Sequence, residues 1–142
     1  MFVDIIQIIF YLSWAIQMIY LIVFAQILQK KYHSSKIDRQ TPISIVVAAH
    51  NEENNLPKFL SALSSQNHEC YEVILVDDRS TDSTLKISLE FPHIRTLHLK
   101  ETPIGWTGKK YAIDQGIRSA QHEWILLTDA DCLPTSNDWV SL

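Results

Sequence analysis

The chain has 142 residues, enough for one domain and not two. Its 16 acidic residues outweigh 12 basic ones, giving a net charge of −4. No basic stripe with interleaved aromatics is present, so nucleic acid is not the expected partner. Two cysteines, Cys70 and Cys132, rule out a disulfide framework, and neither has the CxxC neighbour of a structural zinc site.

The first element is "IIQIIFYLSWAIQMIYLIVFAQIL", Ile5 to Leu28, which holds no charged residue. As a helix it reaches about 36 Å, against roughly 30 Å of hydrocarbon. Gln7, Ser13, Gln17 and Gln26 interrupt it without adding charge. A cleaved signal peptide wants a positive start and a small-x-small cleavage site. Asp4 and "FAQILQKK" supply neither, so a retained membrane anchor over residues 1–30 is the expectation. Lys30, Lys31, Lys36 and Arg39 follow the span. The positive-inside rule then places the C-terminal side in the cytoplasm, as a single-pass protein of the cell (inner) membrane. Residues 31–42 read as a polar linker ending at Pro42.

Beyond the linker the pattern alternates. "ISIVVAA" (43–49), "YEVILV" (71–76), "IRTLHL" (94–99) and "EWILLT" (123–128) are strand candidates. Two of the four are nearly unbroken apolar runs, as in parallel strands covered on both faces. Between them, "NLPKFLSALSSQ" sets Leu56, Phe59, Leu60 and Leu63 at helical spacing, with Pro57 in the first turn. "DSTLKISLEF" opens on a capping aspartate, Asp82. "GKKYAIDQGIRSAQ" places Ala112, Ile113, Ile117 and Ala120 on one side, and Gly116 weakens it as a helix. A last helix is expected to begin near Ser136. The β-α alternation predicts an α/β fold with an open, mostly parallel, Rossmann-like sheet and right-handed crossovers.

In such sheets ligands bind outside the carboxyl ends of the strands. "HNEEN", "DDRSTD", "KETPIGWTGKK" and "DADCLP" follow the four strands, so every chemically suggestive turn falls at that end. A carboxylate pair repels phosphate unless a divalent cation lies between them, and Mg²⁺ takes one or two carboxylates plus phosphate oxygens. Asp129 and Asp131 therefore read as a metal-mediated diphosphate site, although a D-x-D alone is also an ordinary acidic turn. Asp77 and Asp78 can accept from a base N–H or a ribose hydroxyl. Lys109 lies near a helix start, where phosphate is favoured. Lys110 reads equally well as a surface lysine. Trp106 is a sugar platform or an edge cover, and His50 and Glu52 lie within reach of a base or serve only their loop.

Together, "ISIVVAAHNEENNLPKFLSALSSQ", "YEVILVDDRSTDST", "WTGKKYAIDQGI" and "WILLTDADCLP" resemble the family 2 glycosyltransferases, from Ile43 to the last residue. The resemblance implies a GT-A fold over 43–142, a nucleotide-sugar donor (usually UDP-linked), Mg²⁺ or Mn²⁺, and inversion at the anomeric carbon. It implies that Asp77 contacts the base with Glu52 beside it, and that Lys109 lies near the donor. It matches Asp129 and Asp131 to the family's D-x-D, with Asp131 as the chief metal ligand. It also resembles membrane-bound members that build polysaccharides or glycolipids, without fixing the acceptor. Asp114 stands where the family often has asparagine. The family's acceptor half, with its catalytic carboxylate, has no counterpart before Leu142. The expectation is thus a donor-binding part, incomplete at its C-terminus and transferring no sugar alone. A nucleotide-binding remnant is the alternative. A phosphoacceptor receiver fits less well, because "CLP" after Asp131 is one residue short of its pattern. The absence of glycine from "AAHNEEN" counts against sugar nucleotidyltransferases and dinucleotide sites.

Overall fold

The computed structural model describes residues 2–29 and 38–141. Lys30, Lys31, Lys36 and most of the expected linker lie outside the described residues. The chain divides into two units, Met1–Ser35 and Lys36–Leu142.

The described residues of the first unit form one helix, α1 (Phe2–Gln29). Its stretch Asp4–Ile27 has a mean hydropathy of 2.1 and is long and apolar enough to cross a membrane. Ile5 through Ile27 expose their large apolar side chains on every side. A helix apolar all round needs a surrounding of lipid or protein.

The second unit alternates β1 (Ile43–Ala49), α2 (Leu56–Ser64), β2 (Tyr71–Asp78), α3 (Thr84–Leu89), β3 (Ile94–Leu99), α4 (Gly108–Ser119) and β4 (Trp124–Asp129). All strands run parallel, in the order β3-β2-β1-β4. Leu56, Phe59, Leu60 and Leu63 of α2 are fully buried against Ile43, Ile45, Val47, Val73 and Leu75 on one face. Asp82 accepts the N–H of Thr84, the first residue of α3, at 2.9 Å. On the other face α4 covers Val46, Ile74 and Val76.

Two expectations about α4 change. Its buried stripe is Ala112 and Gly116, whereas Ile117 is exposed. Gly116 does more than weaken the helix: a Cβ there would lie 2.3 Å from Val46 Cγ1 and 3.1 Å from Val76 Cγ2. The missing side chain is what lets α4 lie close on β1 and β2. The apolar run in β4 is largely uncovered. β4 is an edge strand, and Trp124, Ile125 and Leu127 are exposed among the described residues. In place of a helix from Ser136 there is one 3₁₀ turn, Trp139–Ser141. Gln66 holds it by accepting the Val140 N–H at 3.2 Å, and His68 by a 3.0 Å bond to Ser141 Oγ.

Candidate functional site

A cleft of about 150 Å³ opens at the carboxyl ends of β1, β2 and β4. Ala48, Ala49, His50, Glu52, Asp78, Lys109, Asp129, Ala130 and Asp131 line it. Five of the six residues singled out as donor or metal contacts therefore converge. The sixth, Asp77, does not.

Strand register explains the split. Side chains alternate along a strand, so partners opposite one another share a face. Ala48 pairs with Val76 and with Asp129, and all three belong to the α4 side, as does Asp78 two residues after Val76. Asp77 pairs with Ala49 and His98 on the α2 side. It is fully buried. His98 Nδ1–H donates to its Oδ2 at 2.7 Å, and the Ser80 N–H reaches its Oδ1 at 3.3 Å. Both oxygens are engaged inside the fold, so the expected contact between Asp77 and a base is not available in this arrangement. Asp78 holds the position facing the cleft.

The Asp78 carboxylate lies under the start of α4. A Cβ on Gly108 would fall 2.1 Å from its Oδ2, so only glycine permits this approach. Arg79 Nε donates to Asp78 Oδ1 at 2.8 Å, which raises the Arg79 pKa further. Arg79 and Asn51 both adopt positive φ, 57° each, uncommon for residues with a Cβ. The two turns are stitched together. Asn51 N–H donates to Ser80 Oγ, Thr81 N–H donates to Asn51 Oδ1, and the His50 ring N–H donates to the Asp78 carbonyl at 2.6 Å. Glu52 is fixed similarly, its N–H on Thr84 Oγ1 at 2.7 Å and its carboxylate accepting from Asn55. None of Arg79, His98 and Gly108 was legible as a site residue. Their roles arise from strand register and helix approach, which no local motif encodes.

Opposite Asp78, Lys109 Nζ donates to Asp129 at 2.9 Å. That hydrogen bond, then the charge of Asp129, raises the lysine's pKa and keeps it cationic. The N-cap Thr107 makes no side-chain bond to the helix, so the first N–H groups of α4 have no cap there. Asp129, Asp131 and Cys132 each offer a ligand atom, and these lie within 4.8 Å of one another. Two carboxylates and a thiol suit a divalent cation, and the Lys109 ammonium already stands on Asp129 as a positive charge would. Trp106, in the β3–α4 loop, packs edge-on against Tyr111 and is half-exposed. Ile113, Leu127, Val46 and Trp139 line a second groove beside the cleft, which shares Lys109, Asp129 and Cys132.

An open parallel sheet of alternating β-α units, with acidic turns gathered at its carboxyl end, has the architecture of a GT-A-type α/β fold. The chain belongs to glycosyl transferase family 2, whose family model matches residues 44–142. It is 35% identical over 103 residues to mouse dolichyl-phosphate beta-glucosyltransferase, covering 63% of this chain and 31% of that protein. The structure of S. aureus TarS 1-349 in complex with UDP is similar, with 26% identity, a TM-score of 0.55, and coverage of 64% of this chain and 28% of that one. The fold also matches mannosyltransferase PcManGT from Pyrobaculum calidifontis, solved with GDP-Man and Mn2+, at a TM-score of 0.68 and 23% identity, covering 87% of this chain and 37% of that one. The chain spans between 21% and 34% of the length of the curated relatives it matches.

Proposed function

We propose that this chain forms the donor site of an inverting glycosyl transfer from a nucleotide-diphospho-sugar, UDP-linked, at a divalent metal ion. One observation carries the reading: Asp78, Lys109, Asp129 and Asp131 come from three separate turns and face a single cleft. Asp78 has one oxygen held by Arg79 and reads the base with the other. Glu52 and His50 border the same side. The uncapped first turn of α4 and Lys109 lie where a diphosphate would gain both N–H donors and positive charge. Asp129 and Asp131 are the residues to hold Mg²⁺ or Mn²⁺, which when bound neutralises charge on the departing diphosphate. Lys109, exposed beside Asp129, would donate to the phosphate oxygens. Acceptor attack needs a base to take the hydroxyl proton, and none of these residues is assigned to it. The α1 span anchors the protein, with the second unit on the cytoplasmic side.

Photoaffinity labelling with an azido-UDP probe tests the location. Cross-links are expected on peptides spanning 48–52, 78–80 and 106–109, and excess UDP should remove them. Labelling confined to other segments overturns the reading.

A further inference from the structure

We propose that Arg79 sets the base preference of the cleft. By occupying one oxygen of the Asp78 carboxylate it leaves a single acceptor for the base, which suits uracil and disfavours guanine. The inference rests on the reading of Asp78 as the residue that meets the base. It assigns the selectivity to a positioning residue, Arg79, that acts through Asp78 from outside the cleft lining.

The pair is held from both sides. Arg79 Nε donates to Asp78 Oδ1 at 2.8 Å. A Cβ on Gly108 would fall 2.1 Å from Asp78 Oδ2 and 2.8 Å from Arg79 Nη2, so the first residue of α4 lies against carboxylate and guanidinium together. The Asp78 side chain is only 9% exposed, which leaves it little room to turn and exchange its oxygens. The bonds that join this turn to the one after β1 run between Asn51, Ser80 and Thr81 and use no Arg79 side-chain atom. The guanidinium therefore serves Asp78 and not the turn. Its backbone φ of 57° is one that glycine adopts without strain, so the turn does not require an arginine.

Base chemistry converts this contact into selectivity. A carboxylate with both oxygens free accepts two parallel N–H bonds. Guanine offers that pair, its N1–H beside its N2 amino group. Uracil offers one N–H, at N3, between two carbonyl oxygens that repel any further acceptor. With Oδ1 taken by Arg79, uracil loses nothing and is spared that repulsion. Guanine keeps one bond, and its second donor goes unpaired against a nearly buried carboxylate.

The test is titration calorimetry of the full chain in detergent with Mn²⁺, using UDP and GDP in parallel. The natural chain should bind UDP more tightly by about tenfold or more, the worth of one bidentate base contact. Arg79→Gly suits the positive φ and should fold with little change in Tm. It frees Oδ1, so the ratio of UDP to GDP affinity should fall about tenfold. A natural preference for GDP, an unchanged ratio in Arg79→Gly, or an equal loss for both nucleotides overturns the inference. The equal loss would mark Arg79 as a plain positive charge near the phosphates. Asp78→Ala separates the two claims. If it weakens UDP binding while Arg79→Gly leaves the ratio unchanged, the inference fails and the donor-site reading stands. If the natural chain binds neither nucleotide, or Asp78→Ala affects neither, the reading of Asp78 fails and the inference falls with it.

Discussion

Replacing Gly116 by alanine sets two effects of similar size against each other. In an exposed helix, alanine gains about 0.8–1.0 kcal/mol over glycine. Here the new methyl would lie 2.3 Å from Val46 Cγ1, a closeness that real contacts do not show. Val46 is 1% exposed, and its branched side chain has little rotamer freedom with which to yield. Val76, fully buried, closes the other side at 3.1 Å. Forcing one methyl into such a core costs about 1–3 kcal/mol. The expected net is a loss of about 1 kcal/mol, or roughly 5 °C in Tm for a unit of this size. The assay is thermal unfolding of the full chain in detergent, followed by near-ultraviolet circular dichroism so that α1 does not dominate the signal. Val46→Ala removes the obstructing methyl. In that background Gly116→Ala should be neutral or stabilising, giving a coupling energy of about 1–2 kcal/mol. A stabilisation of about 1 kcal/mol in the natural background, additive with Val46→Ala, would show that α4 does not lie on β1 as described.

Asp77 and Asp78 should separate stability from binding. Asp77→Ala leaves His98 and the Ser80 N–H without their acceptor and should lower stability by about 1–3 kcal/mol. Asp78→Ala should instead weaken UDP binding at least tenfold by equilibrium dialysis, with the smaller change in Tm. Glu72 links stability to acid pH. Burial by itself raises its pKa, but hydrogen bonds from Ser44 and the Gln121 N–H, with Arg95 and His122, hold it below its usual 4.5. A depressed folded-state pKa stabilises above the unfolded value, and that contribution is lost as pH falls below about 4.5 through the folded value. Glu72→Gln should therefore flatten the decline of Tm over that acid range, and an unchanged slope would refute the linkage. Protease added to sealed inverted vesicles should digest the second unit, whereas protection there with digestion in spheroplasts would reverse the topology.

The strand pattern was legible because parallel strands are written as β-branched runs, and β1 and β3 fall where Ile43–Ala49 and Ile94–Leu99 predict. The sidedness of the acidic pair was lost through two residues of strand length. Ending β2 at Val76 leaves Asp77 and Asp78 in a turn with no defined face. The strand in fact runs to Asp78, and its period of two sends Asp77 to the α2 side and Asp78 to the cleft. Gly116 misled because propensity describes an isolated helix, whereas its value here lies in contact with residues forty and seventy positions earlier. The exposure of Trp124 and Leu127 could not be read from composition, because an apolar run looks the same in a central strand and at an edge. The D-x-D turn was legible because Asp129 closes a strand and Asp131 stays in its turn, and the structure brings both to the cleft.

The most direct measurement of the central claim is titration calorimetry of the full chain with UDP, with Mn²⁺ and then with chelator. Binding should be present with Mn²⁺, at least tenfold weaker with chelator, and similarly weakened by Asp131→Asn in the presence of the ion. Equal affinity with and without metal, or no effect of Asp131→Asn, would contradict a metal-held diphosphate at the end of β4.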